Sequence, residues 1–304
     1  MQVHHGESED MKRWILRIFT GLLGMVCLAF LVVYVVSNRT INKVHAFQPY
    51  PITAATDSAS LARGEHLARL GCFGCHGDSL KGRVLFDDPM IARLVAPNVP
   101  AKIATLTDAE FAGFFRSGVR KDGTSPFIMP PPGYYHISDA DLSALLGYLR
   151  SLPRLTDTLP ANSYRPMGRF GIMAGQFKTA VHEMDTTQER VGADPASATT
   201  RQGEYLARMI CSECHGARLT GSPAPEGDAG SPSLSGALGY SPEEFVTLLR
   251  TGTPRVATTQ LDLMADVAKG ALHRLSDEEI TAIYQYIKTL PATGVRLESR
   301  VSSP

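Results

Sequence analysis

Hydrophobic and polar positions along the 304-residue chain fall into distinct regimes. From Ile18 to Val36 no charged residue interrupts an apolar run rich in Leu, Val and Phe. At about 1.5 Å per helical residue, such a run nearly crosses the hydrocarbon core of a bilayer. Beyond it, helical periodicity surfaces twice. Leu142, Leu145, Leu146 and Leu149 keep i, i+3, i+4, i+7 spacing, and Ile280, Ile283, Tyr284 and Ile287 do the same. Each stripe follows a helix-start signal, Ser138-x-x-Asp141 in the first case and the capping box Ser276-x-x-Glu279 in the second. Two shorter helices are announced by Thr107-x-x-Glu110 and Ser241-Pro242-x-Glu244, the latter with Pro at the first helical position. The apolar stripes are core faces.

The same order of signals in both halves points to a duplication. Gly64-Glu65-His66-Leu67-Ala68-Arg69 reappears as Gly203-Glu204-Tyr205-Leu206-Ala207-Arg208. Phe114-Phe115-Arg116-Ser117-Gly118 reappears as Leu248-Leu249-Arg250-Thr251-Gly252, and both closing helices run into Leu-Pro. The expected fold is all-α, with two tandem domains over residues 57–153 and 200–295. Residues 154–199, rich in Pro, Thr, Ala and Gly, read as a linker in which 170–182 forms a short ordered piece packed on a domain. A domain of about 95 residues has a small core, so its long loops make sense if they wrap a buried group.

Composition narrows the function. The formal net charge is zero and charged residues make up 20% of the chain, which leaves no nucleic-acid footprint. Lys12, Arg13 and Arg17 precede the apolar run, so the positive-inside rule puts residues 1–14 in the cytoplasm and makes 15–37 a single-pass anchor. Trp14 and Tyr34 suit the two interfacial belts. A cleavable signal peptide would need a small-x-small pattern around Val35 to Arg39, which is missing. The remainder is expected outside a bacterial inner membrane, on the periplasmic side.

Of five cysteines, Cys27 lies in the apolar run and the other four form two pentads, Cys72-Phe73-Gly74-Cys75-His76 and Cys211-Ser212-Glu213-Cys214-His215. C-x-x-C-H reads as covalent attachment of c-type haem, with the histidine ligating iron from one face. A thioredoxin-like pair would need a βαβ context, and a four-cysteine zinc site would leave both histidines idle. An intra-motif disulfide could exist only before attachment. The opposite iron face needs a second ligand. Met129, before three prolines, and Met264 occupy matching stretches between short and closing helix. His136 and His273, just downstream, are the competitors. Met90 has no counterpart, and Met209 is too close to its own pentad. The aligned segments Ala96-Pro97-Asn98 and Ser231-Pro232-Ser233 place the carbonyls of Pro97 and Pro232 as acceptors for the histidines' second nitrogen, with plain turn prolines as the alternative.

Cys72-x-x-Cys75-His76 with Met129, and Cys211-x-x-Cys214-His215 with Met264, each between a leading and a closing helix, resemble two class I cytochrome c domains. Together with Gly-Glu-x-Leu-Ala-Arg and Tyr148-Leu149-Arg150-Ser151-Leu152-Pro153, they are similar to membrane-anchored dihaem cytochromes, including cytochrome subunits of bacterial periplasmic dehydrogenases. The resemblance implies two haem c groups, His/Met ligation at both irons, a Pro97-type carbonyl on each histidine, and an electron carrier exchanging electrons with redox proteins. Ala265 after Met264 departs from the family's usual Met-Pro. A bacterial dihaem cytochrome c peroxidase would also carry two pentads, but it uses a tryptophan between its haems, and the one tryptophan here is Trp14. Membership of a larger dehydrogenase or oxidase complex differs from a free carrier only in partner.

Overall fold

The computed structural model describes residues 4–154, 159–192, 200–222, 230–256 and 261–291. Of the boundaries expected from sequence, residues 1–3, 155–158, 193–199 and 292–295 lie outside the described residues. The chain opens with α1 (His4–Ile41), whose apolar stretch is exposed apart from half-buried Val33. The helix runs past the expected end at residue 37, and the Asn42 side-chain amide donates to the Asn38 carbonyl at 2.9 Å to close its last turn.

Residues 43–56 form no helix or strand and lie along the first domain as a strap. The backbone N–H groups of His45, Tyr50 and Ala55 donate to the carbonyls of Gly123, Ala109 and Ser143 at 2.8, 3.0 and 3.1 Å. The first domain follows as α2 (Ser58–Gly71), α3 (Phe73–His76), β1 (Arg83–Asp87), β2 (Ala92–Ala96), α4 (Val99–Ile103), α5 (Asp108–Ser117) and α6 (Asp139–Ser151). The intervening segment holds β3 (Ser163–Tyr164), α7 (Pro166–Met173) and α8 (Ala180–Glu183). The second domain contains α9 (Thr200–Leu206), α10 (Ser212–His215), α11 (Pro242–Thr251), α12 (Asp262–Gly270) and α13 (Asp277–Ile287).

In each half the leading helix crosses the closing helix, α2 on α6 and α9 on α13. A glycine sits at each crossing because the backbones nearly touch. A Cβ on Gly64 would lie 2.1 Å from the Ala144 carbonyl oxygen, and one on Gly203 would lie 1.9 Å from that of Ala282. The apolar stripes face this crossing as expected: Leu142, Leu145, Leu146, Ile280, Ile283 and Ile287 are buried. Capping boxes form at Thr107/Glu110, Ser241/Glu244 and Ser276/Glu279. Ser138 caps α6, but Asp141 turns away to other partners.

A small antiparallel sheet, order β1-β2-β3, is added to the helical architecture. Its hairpin pairs Arg83 with Ala96 and Asp87 with Arg93. The turn is closed by Asp88, whose carboxylate accepts from the N–H groups of Met90 and Ile91 at 2.8 and 2.9 Å. The segment read as a linker supplies the third strand, Ala92 pairing with Tyr164. The same segment also supplies α8, whose Ala180 is buried and donates its N–H to the Pro126 carbonyl at 2.7 Å.

The two domains touch along a polar seam. Arg63 on α2 bonds Asp141 through Nε at 3.0 Å and Glu279 of α13 through Nη1 at 2.8 Å. His66 Nε2 also contacts Glu279, at 2.9 Å. Tyr205, fully buried on α9, donates its hydroxyl to Asp141 at 2.7 Å and accepts the Ser138 N–H at 3.2 Å. Burial opposes charge on Arg63, yet Asp141 and Glu279 hold it firmly protonated.

Candidate cofactor sites

Each pentad begins where the leading helix ends. In the first, α2 stops at Gly71 and the short α3 carries Cys75 and His76. In the second, a π-helical turn over Ala207–Cys211 leads directly into α10. The turn after each histidine is the same. His76-Gly77-x-x-Leu80-x-Gly82 and His215-Gly216-x-x-Leu219-x-Gly221 both carry left-handed backbone at all three later named positions. Leu80 and Leu219 take φ of 55° and 59° despite their side chains, and both are buried. The turn closes when the N–H of Gly82 or Gly221 donates to its pentad histidine's carbonyl, at 2.9 Å in both copies. A left-handed leucine is costly, so it persists only where surrounding contacts overdetermine it.

This turn aims each histidine at a fixed acceptor. His76 Nδ1 donates to the Pro97 carbonyl at 2.8 Å, and His215 Nδ1 donates to the Pro232 carbonyl at 2.7 Å. A carbonyl only accepts, so Nδ1 carries the proton and Nε2 keeps its lone pair for a metal. Burial lowers the His76 pKa against the raising effect of Pro97, which favours the neutral, ligating form. The residues after each proline repeat as well. Asn98 caps α4 through the Ala101 N–H, and Ser233 caps a 3-10 turn at Leu234–Gly239 through the Ser235 N–H.

Neither pentad forms an internal disulfide. Burial pushes Cys72 and Cys211 up to about 12, and burial followed by the charge of Glu213 raises Cys75 and Cys214.

Cys72, Cys75 and His76 open into a cavity of about 750 Å³ whose walls include Phe111, Phe115, Leu149 and Met129. That volume lies in the range of sites for organic cofactors, and mainly apolar walls suit a porphyrin face. Met129 therefore shares a cavity with His76. His136 does not line it. It sits in the 3-10 turn Pro132–His136, where its Nδ1 accepts the Val191 N–H at 3.4 Å. Burial, and then the charge of Arg208, lowers its pKa to about 4.

In the second half Met264 is half-buried on the first turn of α12, against the second domain's core, and not in a loop. His273 lies in the 3-10 turn Leu272–Arg274, and its buried Nδ1 has no hydrogen-bond partner among the described residues. Of the other methionines weighed, Met90 is exposed at the hairpin tip and Met209 is buried beside its pentad. Trp14 is exposed on α1.

The turn Pro132–His136 was not singled out from sequence, yet it touches both pentads. A Cβ on Gly133 would lie 2.6 Å from both the Arg208 carbonyl oxygen and the Ser212 hydroxyl. Tyr134, buried, fills the space above Gly71, next to Cys72. The two attachment sites are therefore separated by about the thickness of one turn of chain. Also unread in sequence were paired arginines that tie each short helix to its closing helix. Arg116 bonds Asp139 and Arg250 bonds Asp277, both at 2.6 Å.

Comparison with known proteins agrees with this geometry. Residues 61–153 match the family described as Cytochrome c, and residues 198–287 match that of Cytochrome C oxidase, cbb3-type, subunit III. The cytochrome c subunit of a quinone-dependent alcohol dehydrogenase from Gluconobacter oxydans is 28% identical over 78% of the chain and 56% of its own length. The gluconate 2-dehydrogenase cytochrome c subunit of Pantoea cypripedii is 30% identical over 78% of the chain and 60% of its own length. The fructose dehydrogenase cytochrome subunit of Gluconobacter japonicus is 25% identical over 83% and 57%. The chain thus spans somewhat over half the length of these relatives. Two matching family regions, each with a C-x-x-C-H pentad and a histidine locked on a carbonyl, identify residues 61–153 and 198–287 as two cytochrome c domains behind an apolar N-terminal helix.

Proposed function

We propose that this protein is a dihaem electron carrier held by α1 in a bacterial cytoplasmic membrane, with the domains at 57–153 and 200–295 on the periplasmic side. Haem c bound at each pentad supplies a one-electron couple. Cys72 and Cys75 hold one group and Cys211 and Cys214 the other. His76 with Met129, and His215 with Met264, would ligate the two irons. The observation that carries this reading is the duplicated bond from histidine Nδ1 to a proline carbonyl, because it fixes Nε2 for one use, ligation.

The protein's part is to orient, to exclude water and to fix distance. Apolar walls such as Phe111, Phe115 and Leu149 disfavour extra charge in the first cavity and so tune its potential. Such ligation would ask no side chain to act as acid, base or nucleophile. The turn Pro132–His136, shared by both pentads, supports electron passage within the molecule. The relatives are named as cytochrome subunits of dehydrogenases, which supports a donor of that kind and a further redox protein as acceptor.

Visible and EPR spectroscopy of the full chain through a redox titration, with carbon monoxide and peroxide added, tests the reading. Two low-spin centres inert to both ligands are expected. A high-spin or ligand-binding centre would overturn His/Met ligation at that site and revive a dihaem peroxidase. Co-purification of a catalytic subunit from the native membrane would place the carrier inside a dehydrogenase complex.

A further inference from the structure

Within the segment between the domains, residues from 159–164 line the first cavity, whereas α7 packs on α1. On α1 the residues shielded by this contact include Val33, Ser37 and Ile41, one face of the helix at i, i+4, i+8. Val33 lies inside the apolar run and Ser37 just past it, so α7 rests at the depth where hydrocarbon gives way to headgroups. Arg169 of α7 donates to the Ser37 hydroxyl at 3.0 Å and lies over the Tyr34 ring at 4.4 Å. An arginine stacked on a tyrosine at the end of an apolar helix is an interfacial arrangement, with charge towards water and ring and stem towards lipid.

The same unit carries a concentration of bare apolar side chains. Met167 and Phe170 are each 57% exposed, Met90 at the hairpin tip is 51% exposed and Phe177 is 47% exposed. They belong to one surface. The Met167 N–H donates to the Met90 carbonyl at 3.0 Å, and Phe177 packs on Gly171 of α7. The unit is rigid too, since a Cβ on Gly168 would lie 2.0 Å from the Ile91 carbonyl oxygen, and Arg165 bonds Asp87 at 2.8 Å. In water such a patch is a liability, whereas beside a membrane helix it continues the lipid-facing surface.

We propose that α7 and the tip of the β1–β2 hairpin form a foot that dips into the outer leaflet of the bilayer crossed by α1, with Met90, Met167, Phe170 and Phe177 as its lipid-contacting residues. The inference rests on the reading of α1 as a membrane anchor. Together with the strap at 43–56, the foot holds the first domain in a fixed pose against the membrane surface. The first haem cavity shares a wall with that foot through Leu85, Leu94 and Tyr164, so its electron exchange takes place close to the bilayer.

The test uses the full chain with haem attached, reconstituted into phosphatidylcholine–phosphatidylglycerol vesicles containing a lipid with a diazirine on its acyl chain. After illumination, lipid adducts are mapped by peptide mass spectrometry. Adducts are expected on α1, on residues 166–177 and on the hairpin tip, and not around exposed Leu263 and Val256 of the second domain. Adducts on α1 without any on α7 or the hairpin would overturn the foot and leave the anchor standing. No adducts on α1 would overturn the anchor itself. Equal labelling near Leu263 would show unselective contact and also overturn the foot. Met167→Glu with Phe170→Glu should cut α7 adducts severalfold while α1 adducts and the visible spectrum persist. Unchanged α7 adducts in that variant would count against the assignment.

Discussion

At the residue scale, the two copies check one another. The pentads and the carbonyl acceptors Pro97 and Pro232 were legible because the sequence repeats them at matching places. The left-handed leucines, Leu80 and Leu219, were equally repeated, but nothing in a leucine's chemistry announces positive φ. Tyr134 was illegible for another reason: it meets Cys72 only through a turn that folds back over the pentad. The axial ligands are where the copies differ. Met129 shares the cavity with His76 while His136 does not, so Met129→Ala should yield a high-spin, carbon monoxide-binding haem and His136→Ala a normal low-spin spectrum. Met129→His should keep the iron low-spin and lower its potential by a sizeable part of the roughly 0.8 V that axial ligands command. In the second copy, Met264→Ala is expected to open the iron and His273→Ala to leave it closed. The reverse pattern in EPR would transfer the ligand role to His273, whose Nδ1 has no partner among the described residues.

At the scale of elements, the helices were readable since their caps and stripes are local. Three capping boxes formed at signals visible in the sequence, and removal of one, as in Ser241→Ala, should cost about 1 kcal/mol of stability, measured by denaturant unfolding. The sheet was not readable, and α7 only in part, because the ordered piece expected at 170–182 overlaps its second half. β3 has two residues, and α7 lies in a stretch of mixed polarity that becomes ordered by packing on α1 and the hairpin. Periodicity cannot register an element whose partner is distant in sequence. The glycine of the Gly-Glu-x-Leu-Ala-Arg phrase gains its explanation at this scale too. Ala at Gly64 or Gly203 must push two helix backbones apart, a cost of at least about 1–3 kcal/mol. Equal losses in both variants would show the crossings to be equivalent. A loss in only one would show that the halves no longer rely on the same contact.

For the molecule as a whole, the decisive contacts join groups more than sixty residues apart, which explains why the seam between domains left no trace in the sequence pattern. Glu279 was legible as the acidic partner of a capping box, but its second task, holding Arg63 and His66 of the other domain, was not. Burial alone would raise its pKa. The hydrogen bonds and charges of His66 and Arg63, with the Ser276 N–H, instead pull it down from 4.5 to about 2. Because the folded value is depressed, the stabilisation is fully present above about pH 4.5 and is lost as pH falls through about 2. That displacement corresponds to roughly 3 kcal/mol at neutral pH. Glu279→Gln should therefore be less stable than the parent near neutrality by up to this amount, with the gap closing on acidification across that window. Unfolding of both proteins across the pH range measures the gap directly. A pH-independent gap would mean that the loss comes from the helix cap. If the gap closes as expected, acid should also release the second domain from the first before either unfolds, visible as faster hydrogen exchange at the Ser138 amide, which bonds the Tyr205 hydroxyl across the seam, than in the cores of α6 and α13. The geometry between the two pentads would then depend on a carboxylate far from either histidine.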